Sequence, residues 1–332
     1  MKIAITADLH LNPEHSERSC ALITILEDMK NEGIGELIIA GDLFDRDGDD
    51  RAYAQFLDPC RSFPEIRIHL IPGNHDSEQS LKDLSLNNLQ KYCEPTWVDF
   101  NDVRILFVPY KKGIGMGEMI HEENEIADIK PWALVGHGDF IDGLRIPNPR
   151  EKGVYMPLRK SDLESRGLRK VFLGHIHKPT PIDQPLGGKV IYAGSPQGLD
   201  VSETGYRRYL IFETTNCEVS EKRMCSGIIY LDLRFFVFPS ENEIEILEKQ
   251  LEEKLGDKSF NREKERIEFR FRVEGFSGDK DALVDSFTRK INSLNLNLYK
   301  SSSGRVNPDF DNLLNASDSQ RNLVAQKTIQ KI

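Results

Sequence analysis

Short apolar runs alternate with amphipathic stretches through the first two-thirds of the chain. The runs cover residues 2–6, 36–40, 66–71, 103–108, 133–135 and 170–173. Between the first two, Leu22, Ile23, Leu26 and Met29 recur at helical spacing and predict a helix over residues 16–32. Further helices are expected over residues 51–61, 81–92 and 158–165. Strand–helix alternation of this kind predicts an α/β layered fold, since helices are needed to cover the apolar faces of a sheet. Two more strands, residues 190–193 and 209–212, follow with no long helix between them. They are expected to pair at a sheet edge as a hairpin or meander.

The pattern changes after Cys225. Residues 228–238 predict a strand, 241–255 an acidic amphipathic helix, 266–273 a half-buried strand, 282–291 a second helix and 294–299 a last strand. The expected organisation is a large domain over residues 1–225, a small α+β domain over 226–300, and a polar linker and tail over 301–332. The end of that tail, residues 319–332, can form a short helix.

Composition narrows the function classes. With 332 residues the chain exceeds the usual single domain, and a core of ordinary size is available. The formal net charge of −10 is unlike that of a strongly basic nucleic-acid-binding domain, although a basic patch can coexist with an acidic average. Cys20, Cys60, Cys93, Cys217 and Cys225 form no C-x-x-C pair, which favours free thiols in a reducing compartment over a disulfide framework. The first residues run directly into a strand pattern without a signal-peptide signature, and no apolar stretch approaches the length of a membrane span. A cytoplasmic location with no membrane contact is expected.

Five motifs begin where a strand run ends: Asp8-Leu9-His10, Gly41-Asp42-Leu43-Phe44-Asp45, Gly73-Asn74-His75-Asp76, Gly136-His137-Gly138 and Gly174-His175-Ile176-His177. In α/β sheets, ligands sit beyond the carboxyl ends of the strands, so five such loops can converge on one site. Singly, each motif is weak; an Asp-x-His pair or a Gly-Asp turn is common on surfaces. Together they hold five of the eight histidines, while His15, His69 and His121 lie outside and read as solvent-facing or packed. Imidazole nitrogen with carboxylate or amide oxygen favours manganese, iron or zinc over an all-oxygen calcium site. Seven donors, Asp8, His10, Asp42, Asn74, His137, His175 and His177, are too many for one tetrahedral ion but fit two ions with a bridging carboxylate.

This ordered set, D-x-H, G-D-x-x-D, G-N-H-D, G-H and G-H-x-H, resembles the calcineurin-like metallophosphoesterase superfamily from Asp8 to His177, with no ligand position missing. The resemblance implies a two-layered β-sandwich flanked by helices. It implies one metal on Asp8, His10 and His177, a second on Asn74, His137 and His175, and Asp42 between them. It also implies catalytic roles for His75, as proton donor to the leaving oxygen, and for Asp45, as its orienting partner. Arg46 grips phosphate in the phosphoprotein phosphatases, but here it opens an acidic run, Asp47-Gly48-Asp49-Asp50, that reads better as a surface loop.

A finer resemblance is to SbcD-type nucleases, the catalytic subunits of DNA double-strand-break repair complexes. It rests on Leu11 after the first motif, Asp76 closing the third, and the run Tyr192-Ala193-Gly194-Ser195-Pro196 with Ser202-Glu203 after the last. The small α+β domain stands where that family has a cap, and the tail where it docks on an ATPase. The resemblance implies a manganese-dependent DNA exo/endonuclease, an SbcC-like coiled-coil ABC ATPase as partner, and a homodimer for which Ala54, Phe56, Leu57, Leu84 and Leu89 are available. Core packing explains those apolar residues equally well. Residues 145–170 carry Arg145, Arg150, Lys152, Arg159, Lys160, Arg166, Arg169 and Lys170 with Tyr155, and read either as a DNA-facing edge of the site or as a solvated helix and loop. The competing function is a phosphatase or phosphodiesterase acting on small molecules or phosphoprotein.

Overall fold

The computed structural model describes residues 1–46, 50–122, 131–142, 153–164, 167–224, 227–256, 265–300 and 307–316. One six-stranded sheet is built on β1 (Lys2–Thr6), β2 (Glu36–Ala40), β3 (Arg67–Ile71) and β4 (Leu89–Lys91), all parallel. Its far edge is an antiparallel hairpin of β10 (Arg208–Glu213) and β11 (Glu218–Arg223), with β10 paired to β1. A five-stranded sheet runs in order through β5 (Thr96–Phe100), β6 (Val103–Val108), β7 (Trp132–His137), β8 (Leu168–Gly174) and β9 (Val190–Tyr192).

Side-chain alternation along the strands explains why the two sheets form a sandwich. Ile3, Ile5, Ile38 and Ala40 point inward and meet Ile105, Phe107, Val135 and Phe172 of the second sheet. Their neighbours Ala4, Leu37 and Ile39 point outward, under Leu22, Ile25 and Met29 of α1 (Ser16–Glu32) and Phe56 of α2 (Asp50–Arg61). On the outer face of the second sheet, Leu106, Leu134 and Leu173 pack under Met116 and Ile120 of α4 (Met116–Glu122). Strands covered on both faces must be apolar throughout, which is the continuous run seen in the sequence. Each such buried side chain is worth about 1.5–3 kcal/mol, so a charge at Ile38 would break the sandwich. Helix α1 stops at Gly33, whose φ of +69° lets the Gly33 and Ile34 amides return to the carbonyls of Lys30 and Met29.

Four expectations are corrected. Residues 81–92 are not one helix: α3 (Glu78–Asp83) ends early, and β4 follows, because Asn88 turns the chain by donating to the carbonyls of Phe63 and Ile66 at 3.2 and 2.8 Å. Residues 158–165 hold only a 3-10 turn, Lys160–Leu163, with residue 165 outside the described residues. Strands β9 and β10 do not pair with each other; the chain between them crosses from one sheet to the other. Residues 294–299 make a single bridge, Leu298 to Phe269, and the last strand of the small C-terminal sheet is instead β14 (Leu313–Asn315).

The chain divides into two compact units. The first comprises Met1–Leu199 and Tyr206–Gly227; the second comprises Asp200–Gly205 and the described residues from Ile228 onward. In the second unit β12 (Ile228–Val237), β13 (Arg266–Ser277) and β14 are parallel, with α5 (Glu243–Leu255) and α6 (Lys280–Ser293) alongside. Phe235 of β12 meets Phe287 of α6 with ring centroids 5.3 Å apart, and the Asp279 carboxylate caps α6 at the Ala282 amide. Residues 225 and 226, the expected boundary, and the tail helix at 319–332 lie outside the described residues. Among the described residues, no helix is long and apolar enough to cross a membrane.

Candidate metal centre

All seven expected donors, with His75 and Asp45, lie at or just past the carboxyl ends of β1, β2, β3, β7 and β8. Pairing continues beyond the strands: the Asp8, His10 and Leu11 amides donate to the carbonyls of Gly41, Asp42 and Leu43 at 3.0, 3.0 and 2.8 Å. These bonds hold unusual backbone. Asp8, His10, Asp42 and His175 have φ of +54°, +45°, +52° and +89°, which side-chain-bearing residues adopt at a cost of about 1–2 kcal/mol each. Close approach is also required: a Cβ on Gly41 would collide with the His137 ring, and one on Gly174 with the Ala40 carbonyl. Asp76 accepts the amides of Gly73, Phe44 and Leu43 at 2.9, 3.1 and 3.2 Å and so ties the second loop to the third. Arg18 of α1 donates to the His10 carbonyl at 2.8 Å.

The donors fall into two overlapping groups, Asp8 with His10 and His177, and Asp42 with His137 and His175. His10 Nε2 faces His177 Nε2 at 3.1 Å. His137 Nδ1 donates to the Ala40 carbonyl at 2.9 Å, which turns Nε2 toward Asn74 Oδ1 at 2.9 Å. His175 Nδ1 is 3.0 Å from the same Asn74 oxygen. Asp42 Oδ2 lies between the groups, 3.5 Å from His10 Nε2 and 3.4 Å from His137 Nε2. Metal bonds of about 2.0–2.2 Å place neighbouring donors roughly 3.0–3.4 Å apart, close to these spacings.

His75 sits at the rim. Its amide donates to Asp42 Oδ1 at 2.9 Å, and its Nδ1 contacts the Asp45 carbonyl at 2.9 Å. The Asp45 partnership therefore runs through the main chain. The Asp45 carboxylate instead faces Asn12 at 3.1 Å, with His10 Nδ1 and Arg18 each at 3.6 Å.

Electrostatics among the protein groups favour cation binding. Burial pushes the Asp8 carboxyl up to about 6, against the pull of His177 and His137. Burial likewise pushes His10 down to about 3, Asp42 opposing, so its ring stays neutral with a lone pair to give. Burial opposes ionisation of Asp42 as well, but the imidazoles of His137, His10 and His75 outweigh it and hold the carboxyl well below its usual range. Asp42 in turn overcomes the burial of His137 and pushes that imidazole up to about 10. Among the described residues, Asp8 Oδ2 is buried without a hydrogen-bond partner. An orphaned carboxylate oxygen and facing imidazole nitrogens fit a pair of divalent cations.

Sequence reasoning passed over several groups that shape the site. Arg207 grips the His177 carbonyl and Ser195. Tyr155 and Tyr110 stand half-buried beside His175 and His137, ring centroids 4.8 and 6.3 Å away. Asp139, buried next to His175, went unnoticed because an acid two residues past a strand-end histidine has no periodic signature. Of the basic stretch, Arg145, Arg150, Lys152 and Arg166 lie outside the described residues. Arg169 and Lys170 line a cleft with Lys2 near the start of β8. At about 3.3 Å per residue they are roughly 17–20 Å of strand away from His175, so they do not border the site. Arg46 is exposed.

Comparison with known proteins agrees with this geometry. The family described as calcineurin-like phosphoesterase matches residues 1–179. Over 266 residues the chain is 24% identical to SbcD, a subunit of the nuclease SbcCD, from Rhodobacter capsulatus, covering 62% of this chain and 64% of that protein, just under two-thirds of its length. Over 329 residues it is 24% identical to the SbcD of Staphylococcus saprophyticus, covering 86% of this chain and 81% of that one. A dimetal phosphatase from Danio rerio superposes with a TM-score of 0.45 at 12% identity, over 68% of this chain and 96% of its own.

Proposed function

This chain belongs to the calcineurin-like phosphoesterase family and is a metal-dependent phosphoric ester hydrolase, and from that premise we propose that it cleaves phosphodiester bonds in DNA as the nuclease subunit of a complex with a coiled-coil ABC ATPase of the SbcC type. The observation that carries the two-metal reading is Asp42 Oδ2, set at nearly equal distances from His10 and His137. Asp8, His10 and His177 would hold one ion, Asn74, His137 and His175 the other, with Asp42 shared; manganese suits these nitrogen and oxygen donors. Bound there, two divalent ions supply an activated water and offset the charge that builds on the phosphoryl oxygens.

The chain's own groups do the rest. A carbonyl only accepts, so His75 carries a proton on Nδ1 toward Asp45, and Nε2 is left to give a proton to the leaving oxygen. The half-buried rings of Tyr110 and Tyr155 offer faces for an unstacked base beside the metal ligands. The names of the two curated relatives support DNA as substrate and an ATPase as partner. Cytoplasmic location and pairing of two copies belong to the same reading. Phe56, Leu84 and Leu89 are buried in the core, so a dimer contact would fall to more exposed neighbours such as Ala54 and Leu57.

The test compares duplex and single-stranded DNA with phosphomonoesters and cyclic nucleotides, in manganese. DNA cleavage is expected, and turnover confined to the small compounds would replace the nuclease reading with the phosphatase one. His75→Asn is expected to bind both metals and lose most activity; full activity in that variant removes the proton-donor role.

A further inference from the structure

Asp139 is buried, 1% exposed, and lies outside the set of seven metal donors. It follows His137 by two residues, yet its carboxylate turns toward the other end of the metal centre. Oδ1 lies 3.9 Å from His175 Nε2, the nitrogen opposite the one that faces Asn74. Oδ2 accepts the Tyr155 amide at 2.8 Å. The Asp139 amide donates to the Tyr155 carbonyl, and its carbonyl accepts from Leu158, each at 2.8 Å. The Tyr155 ring packs 4.8 Å from the His175 ring and restricts its turning.

We propose that Asp139 is a positioning residue for His175, holding the proton on Nε2 so that the Nδ1 lone pair is directed to the metal held with Asn74 and His137. The inference rests on the two-metal reading above. At 3.9 Å the two groups are beyond direct hydrogen-bond length but within the range where a buried carboxylate acts on an N–H by charge. An imidazole has one donor and one acceptor nitrogen when neutral, so fixing one fixes the other. Carboxylates behind metal-ligating histidines set ligand orientation and basicity in this way. Tyr155, tethered through the same carboxylate, makes Asp139 the link between a metal ligand and a substrate-facing ring.

Asp139→Asn separates charge from structure, because the amide oxygen can still accept the Tyr155 N–H. Manganese titration calorimetry on the full chain is expected to show two sites in the wild type, and in D139N one site weakened about 10–100-fold with the other unchanged. Equal affinity at both sites in D139N, or equal weakening of both, overturns the proposal while the two-metal reading stands. A wild type that takes fewer than two manganese ions overturns both. Should D139N fail to fold, the long-range proton–nitrogen spectrum of the zinc-loaded wild type decides. His175, assigned by its loss in His175→Gln, is expected to carry its proton on Nε2, and a proton on Nδ1 overturns the proposal.

Discussion

Buried histidines occur at both ends of the same sandwich, and they are treated differently. Near the start of β3, His69 is 2% exposed, with Nε2 2.8 Å from Glu36 and Nδ1 2.7 Å from the Tyr92 hydroxyl. Its ring lies against Phe100 and Phe107 of the opposite sheet. Both nitrogens have partners supplied by the chain. Past the far ends of the strands, His10 Nδ1 and Asp8 Oδ2 are equally buried and have no hydrogen-bond partner among the described residues. A buried polar group costs stability unless it is paired. The His69 end meets that demand internally and is structure; the other end leaves it open and is a site.

The sharpest way to break this contrast is Asp42→Ala. It should lower DNA cleavage by at least about 10³-fold, since it removes the oxygen common to both groups of ligands. Cleavage assays at saturating manganese check it, and near-normal turnover would mean the open end is not the site. Next is stability: manganese at 100 times its dissociation constant should add about 2.7 kcal/mol per ion to urea unfolding, with no such gain in an Asp42→Ala protein. At the satisfied end, His69→Leu should cost about 1–3 kcal/mol of unfolding free energy, by stranding Glu36 and Tyr92, and leave turnover within about two-fold. Lost activity with intact stability in that variant would erase the distinction.

The smallest effect extends the contrast to the second unit. There the Asp232 carboxylate is gripped by Arg270 at 2.9 and 2.6 Å and by Arg272 at 2.9 Å. Burial works against its ionisation, but the two arginines hold it below its ordinary 3.8. A carboxyl depressed in the folded state stabilises above its unfolded value and loses that contribution as pH falls through the folded one. Thermal unfolding of the wild type should therefore weaken more steeply below about pH 4 than that of Asp232→Asn.

Much of the site was legible because metal ligation needs particular atoms at strand ends, and Asp8, His10, Asp42, Asn74, His137, His175 and His177 announce themselves by type and order. Elements buried on both faces were legible for a similar reason: β1, β2 and β6 leave no polar position to misread. What escaped depends on partners distant in sequence. Leu81, Leu84 and Leu89 look helical in spacing, yet Leu89 belongs to a strand completed by β3. Leu294 and Leu298 alternate like a strand, but Asn295 turns left-handed at φ +48° and only one bridge to β13 forms. Strands β9 and β10 are near in sequence and belong to different sheets. Asp139 has meaning only beside His175, and no local pattern brings those two together.

The six residues Asp200–Gly205 belong to the second unit although chain on both sides of them belongs to the first. Val201 packs with Ile228, Tyr230 and Tyr299, and the Gly205 amide donates to the Tyr230 carbonyl at 2.9 Å. The two units are therefore stitched rather than strung. A protease cut or stop codon after Gly227 would not release a clean domain but would leave Val201 bare on the remaining piece, while the piece removed would lack the loop that finishes its own core. Genetic exchange of either unit between relatives meets the same obstacle, because one swap demands two seams, and the inner seam lies between the last metal-ligand motif and β10.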